Sequence, residues 1–208
     1  AGEDTVRLRI ADYHTNIVLI EKNGETLLEA GTVVSQDSAS GLTDRSCMSV
    51  EAIVDFVNTC GIEDVREIVQ RQIDYNYAIA QEGMAHPWGA NIGKVLREHY
   101  GDDIKIRARA MAAAGSDARM SGCEMPVIIV SGSGNQGITA SVPVIEYAKH
   151  LGADAEKTLR AVTLSDLLTI HMKTGIGRLS AYCGAVSAGC GAGAAIAWLN
   201  GGGFEEVA

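Results

Sequence analysis

Between Ala181 and Leu199 the chain runs for 19 residues without a charge, and Gly, Ala, Ser and Cys fill most of that run. Its length approaches the roughly 20 residues that cross a bilayer, and Gly184, Gly189, Gly191 and Gly193 would suit close helix packing in a membrane. It lacks the density of Leu, Ile, Val and Phe of a spanning helix, however, and basic flanks are nearly absent. The better reading is a central helix buried by other helices, its small residues letting the neighbours come close. A chain with such a segment needs several further helices to cover it.

The remaining sequence supplies them. Ser49 reads as an N-cap before a helix that runs to Cys60. From Ile62 to about Ala85, apolar residues recur at Val65, Ile68, Val69, Ile73 and Tyr77, the spacing of a long amphipathic helix. His86-Pro87-Trp88-Gly89 breaks it, Asn91 to Tyr100 forms another helix ended by Gly101, and Asp102 or Asp103 caps the next. Two more helices are predicted from about Ile138 to His150 and from Asp154 to Gly175. Ahead of them the pattern is different. Val6 to Ile10 alternates apolar and basic, and Asn16–Ile20 and Glu25–Glu29 flank Lys22-Asn23-Gly24, where Asn-Gly is a strong hairpin signal.

The predicted class is therefore α+β and mainly α-helical. Residues 1–32 form a small antiparallel sheet, 33–46 a Ser/Asp/Thr/Gly-rich linker, and 47–208 a helical domain around the small-residue helix.

Composition narrows the function. With 47% hydrophobic and 21% charged residues the chain is globular, and a net charge of −9 argues against nucleic acid or an anionic membrane as partner. Five cysteines make no disulfide framework, and Ala1-Gly2-Glu3-Asp4 does not read as a secretory leader, so a reducing cytoplasm is the expected compartment. The absence of an initiator Met, with a strand pattern beginning at once, suggests a piece of a longer protein.

The chemistry concentrates at Cys123–Gly137, where a cysteine and the short apolar run Val127–Val130 lead into Ser131-Gly132-Ser133-Gly134-Asn135-Gln136-Gly137. The run reads as a buried strand or buried turn. The small-residue loop is expected to pass through positive φ, and the helix behind it to aim its amides at a carboxylate or phosphate. Gly132-x-Gly134-x-x-Gly137 has the spacing of a dinucleotide fingerprint, but no second strand ending in an acidic residue follows, since Asp154 starts a helix. A loop for a substrate carboxylate is the preferred reading, with a structural turn as the alternative.

Cys183 and Cys190 are seven apart, about two helical turns, so both can face one side. Buried cysteine is commonly a small hydrophobe. With Cys123 shortly before the loop, three thiolates near a polar pocket could instead hold an iron–sulfur cluster with one open iron, or a zinc. Cys47 and Cys60 have no such setting. His14, between the first two strands, reads as a hydrogen-bonded turn residue.

Taken together, Asp117-Ala118-Arg119-Met120-Ser121-Gly122, Met125-Pro126-Val127, the Ser131–Gly137 loop, Cys183-Gly184 and Cys190-Gly191-Ala192-Gly193 resemble the L-cysteine desulfidase family, which is related to the alpha chain of iron–sulfur L-serine dehydratases. His14-Thr15-Asn16 and Gly89-Ala90-Asn91-Ile92-Gly93 also fit. The resemblance implies a lyase with a [4Fe–4S] cluster on Cys123, Cys183 and Cys190 that splits L-cysteine into sulfide, ammonia and pyruvate. L-Serine is the alternative substrate, and a non-catalytic small-ligand or metal-binding module the alternative function. Ser131, Gly132, Ser133, Gly134, Asn135, Gln136 and Gly137 would hold the substrate carboxylate. Members are about twice this length, and the family's proton-abstracting residue lies in an N-terminal part this chain lacks. No catalytic base is therefore assigned. Association with that missing portion, or into a homo-oligomer, is expected.

Overall fold

A computed structural model describes residues 2–11, 15–30, 43–176 and 183–208. The first three elements are β1 (Val6–Ile10), β2 (Ile17–Lys22) and β3 (Glu25–Glu29), an antiparallel meander in the order β1-β2-β3. Register pairs Leu8 with Ile20 and Ile20 with Leu28, which lines up one apolar row across the sheet. The β2–β3 turn is the predicted Asn-Gly. Asn23 and Gly24 both have positive φ (54° and 85°), as a two-residue hairpin loop of matching twist requires. Asn23 also ties the turn to the chain start, with Nδ2 donating to Asp4 Oδ1 at 2.8 Å and Oδ1 accepting the Thr5 amide at 2.8 Å. Among the described residues no strand lies against a helix.

Eight helices follow among the described residues: α1 (Val50–Thr59), α2 (Glu63–Ala85), α3 (Ile92–Tyr100), α4 (Ile104–Met120), α5 (Gly134–Leu151), α6 (Ala155–Ile176), α7 (Gly184–Leu199) and α8 (Phe204–Val207). Their ends carry the expected chemistry. Ser49 Oγ accepts the Ala52 amide, Asp103 Oδ1 the Ile106 amide and Asp154 Oδ1 the Lys157 amide, each satisfying a donor the helix cannot. Most of the expected linker lies outside the described residues. Its last part is tied to the helices by Arg45, which donates to Thr174 Oγ1 at 3.2 Å.

The mainly helical α+β architecture is the one predicted, but the helix enclosed on most sides is α5. It packs against α2, α4, α6 and α7 and is shared by two apolar cores. Val144 and Ile145 join Val57, Leu159, Val162, Leu164, Ala195 and Leu199 in one core. Ile138 and Val142 join Ile79, Met111 and Ala118 in the other. The small-residue helix α7 buries only one face, through Ser187, Ala188, Gly191, Ala192, Ala195 and Leu199. Its other face, with Val186, Gly189, Cys190 and Gly193, is exposed. Small side chains permit a close approach on that one face. A Cβ at Gly191 would lie 2.5 Å from the Ser165 carbonyl oxygen and 2.6 Å from Thr169 Oγ1. Among the described residues no helix is long and apolar enough to cross a membrane.

Candidate substrate loop at the start of helix α5

The loop begins where α4 stops. Gly122 takes a positive φ of 88°, the Cys123 amide returns to the Ala118 carbonyl at 3.0 Å, and the chain reverses. Residues 123–130 are irregular rather than a strand. Among the described residues no strand pairs with them. Asn76 of α2 takes that part: the Ile128 amide donates to Asn76 Oδ1 at 2.8 Å, and Asn76 Nδ2 donates to the Ile128 carbonyl at 3.0 Å. A side-chain amide carries the same donor and acceptor as a peptide unit, so one asparagine substitutes for a ladder neighbour.

Helix α5 starts four residues earlier than predicted, inside the small-residue motif itself. Ser133 is its N-cap and accepts the Gln136 amide at 3.3 Å, while the Gly137 amide donates to the Ser133 carbonyl. Gln136 is fully buried and clasps the loop from within: Oε1 accepts the Ser131 amide at 2.9 Å and Nε2 donates to Ser131 Oγ at 3.2 Å. The expected positive φ is not found at Gly132, Gly134 or Gly137. Glycine serves here for close approach instead. A Cβ at Gly137 would strike the Ile128 carbonyl oxygen, and one at Gly134 would strike Nε of Arg119.

The seven loop residues therefore divide. Gly134, Gln136 and Gly137 are buried, Ser131 and Asn135 are part-buried, and Gly132 and Ser133 are exposed. Asn135 Oδ1 accepts Nη1 of Arg119 at 3.1 Å. Helix α7 enters beside them, for a Cβ at Gly184 would lie 3.4 Å from the Gln136 amide group. Cys183, the N-cap of α7, thus adjoins the loop.

The three candidate ligand cysteines are not gathered into one donor set. Cys123 is part-buried against Ile79, Met111, Ile138 and Val142, whereas Cys183 and Cys190 are exposed. Among the described residues no group of three His, Cys, Asp or Glu side chains is placed to hold a metal ion. The residues as arranged here do not make a ready site for an iron–sulfur cluster. Of the remaining cysteines, Cys47 is exposed, and Cys60 accepts from Arg160, whose guanidinium also binds the Cys60 carbonyl and Glu156. His14 lies outside the described residues.

Two motifs distant in sequence meet behind the loop. Asp117 Oδ2 accepts the Ile92 amide at 2.7 Å and so caps α3, and a Cβ at Gly89 would lie 2.9 Å from Asp117 Oδ1 and 3.0 Å from Ser121 Oγ. The sequence reading missed three polar groups around α5. Asn76 is one. The second is Glu146, only 4% exposed, which accepts from Tyr77 Oη and Arg107 Nε at 2.7 Å each. The third is Asp166, which accepts Gln72 Nε2 at 2.9 Å and whose carboxyl is pushed up to about 7 by burial. A signal for Asn76 and, through its partner Gln72, for Asp166 was present: Gln72 and Asn76 are polar residues one turn apart on the buried stripe of α2, where they need partners.

The chain is 61% identical to a UPF0597 protein of Desulfitobacterium hafniense, over 98% of this chain and 47% of that one. It is 53% identical to a UPF0597 protein of Lachnoclostridium phytofermentans, over 99% and 49% of the two chains, and 47% identical to one of Fusobacterium nucleatum, again over 99% and 49%. The chain thus spans about half the length of the curated relatives it matches. No solved structure matches it. The serine dehydratase alpha chain family matches residues 22–208, and that match covers most of both cores, the 123–137 segment and all of α7. The protein belongs to the serine dehydratase alpha chain family.

Proposed function

We propose that this chain is the substrate-holding module of a lyase that carries out β-elimination on a small amino acid, with L-cysteine as the preferred substrate and L-serine as the alternative. The observation that carries the reading is the capped start of α5, where Ser133 and Gly132 are exposed and Gly184, next to Cys183, lies against Gln136, in a chain of the serine dehydratase alpha chain family. In such a reaction a Cα–H bond breaks, the electron pair forms the Cα–Cβ double bond, and the Cβ–S bond breaks to release sulfide. The resulting enamine takes up water to give pyruvate and ammonia. The residues of this chain bind and orient the amino acid through its carboxylate, which fixes the Cα hydrogen in one direction. The proton acceptor is proposed to come from a further portion of the protein, since the curated relatives it matches are about twice this length.

The family is associated with iron–sulfur enzymes, and the assignment of a [4Fe–4S] cluster to Cys123, Cys183 and Cys190 rests on that resemblance. One observation favours a second reading, a non-catalytic small-ligand module: Cys123 packs among apolar side chains, as an ordinary core cysteine does. Iron and acid-labile sulfide per chain after anaerobic reconstitution, together with sulfide and pyruvate release from L-cysteine and L-serine, separate the two. About four of each with turnover supports the lyase. No iron and no turnover, in this chain and in a full-length relative, leaves the ligand-binding module.

A further inference from the structure

In the folded chain several amides of the 131–137 loop are already committed. The Ser131 amide donates to Gln136 Oε1, the Gln136 amide to Ser133 Oγ and the Gly137 amide to the Ser133 carbonyl. None of the three loop glycines turns through positive φ, so the backbone does not curl into an anion-binding nest. A full positive charge stands beside the loop instead. Arg119, on the last turn of α4, lays its guanidinium across Gly134, in the space any Cβ there would need. Asn135 Oδ1 and, at 3.4 Å, Met120 Sδ accept from its Nη1.

Arg119 is part-buried, yet among the described residues no carboxylate balances its charge with an ion pair. Asp117, two residues before it, is engaged with the Ile92 amide. Nε and Nη2 have no acceptor among the described residues. Arg119 stands on the last turn of α4, whose carbonyl end favours a cation, but its guanidinium is laid against the start of α5, which carries roughly half a positive charge and favours an anion. Glycine at 134 nevertheless keeps the guanidinium there, and exposed Gly132 and Ser133 leave the place open to solvent.

We propose that Arg119 binds the α-carboxylate of the amino-acid substrate, with the Ser133-capped start of α5 as the second half of the site. This deepens, and rests on, the reading of the loop as an amino-acid site. A planar guanidinium matches both oxygens of a carboxylate and neutralises them, which neutral loop amides alone do not. The substrate class that follows is a free amino acid with an unblocked carboxylate. Esters, amides and carboxyl-linked peptides are rejected.

The test is a titration of the purified chain with L-serine, with L-cysteine under reducing conditions, and with L-serinamide, read as backbone amide shifts by NMR. The wild type is expected to shift residues around 131–137 with both amino acids and not with the amide. Arg119→Gln is expected to weaken both amino acids by about tenfold or more. Gly134→Ala, which pushes the guanidinium aside without removing it, is expected to weaken them in the same direction and keeps the test decisive should Arg119→Gln not fold. Wild-type protein that responds to neither amino acid would overturn the amino-acid site itself. Wild-type protein that binds them, with both variants binding equally well, would overturn the role of Arg119 and leave the site standing. Equal binding of serinamide would do the same.

Discussion

Asn76 holds Ile128 by both edges of its side-chain amide, accepting the Ile128 amide at 2.8 Å and donating to the Ile128 carbonyl at 3.0 Å. The same Nδ2 lies 3.1 Å from Ser141 Oγ of α5, and Asn76 is wholly buried. One side chain therefore joins α2, the segment before the 131–137 loop, and the central helix. Truncation would leave a part-buried peptide donor and acceptor unpaired. Asn76→Ala is expected to lower stability by about 2–3 kcal/mol, read as a lower denaturation midpoint with an unchanged m-value.

Gly137 and Gly134 differ in what an added methyl would meet. At 137 it meets the Ile128 carbonyl, which is backbone and held by Asn76, so the loop must shift. At 134 it meets the end of a flexible arginine. Gly137→Ala is expected to cost about 1–3 kcal/mol in urea unfolding, the cost of overpacking. Gly134→Ala should cost less than half as much.

Glu146 is buried and shared by Arg107 and Tyr77, while Arg107 keeps about a third of its side chain in solvent (29%). Removing the arginine strands a buried carboxylate with one remaining donor. Arg107→Ala should cost about 2–3 kcal/mol, toward the low end for a broken buried pair because Arg107 is partly solvated. Adding Glu146→Gln to that variant should restore part of the loss, which a double-mutant cycle would read.

Asp166 supplies a pH dependence of defined sign. Burial raises its folded value to about 7 from an ordinary 3.8, so between those values the folded chain holds a proton that the unfolded chain has released. Stability from this group is complete below about pH 4 and is lost as pH rises toward 7. Asp166→Asn keeps the acceptor for Gln72 and removes the titration. It should melt higher than wild type at pH 8, with the difference shrinking steadily toward pH 4.

The cluster proposal makes its own prediction for the cysteines. Cys123→Ser, Cys183→Ser and Cys190→Ser should each lose iron after anaerobic reconstitution, while Cys47→Ser and Cys60→Ser should retain it. Equal iron across all five variants would falsify the ligand assignment.

Much of the fold could be read locally because its signals are local. Alternation at Val6–Ile10, Asn23-Gly24, the caps at Ser49 and Asp103, and Gly101 after α3 each act through their own few residues, and the structure carries all of them. Ile68 shows the limit of periodicity. It falls on the predicted apolar stripe of α2, yet it is 61% exposed, while Gln72 and Asn76 occupy the buried side. Which side of a helix is inside depends on what lies opposite, and here the opposing groups, Ile128, Ser141 and Asp166, come from distant segments.

The same distinction runs through the candidate site. From the sequence alone came the class, the small-residue loop as the place of interest, the helix behind it and the kinship with serine dehydratase alpha chains. Tertiary structure decided what each loop residue does: Gln136 turns inward as a clasp, Gly137 makes room for a carbonyl, and Gly134 makes room for Arg119. Spacing reports the direction of a side chain only within its own element. Arg119 and Asn135 are 16 residues apart on different helices, and only packing α4 against α5 brings a cation onto a helix start.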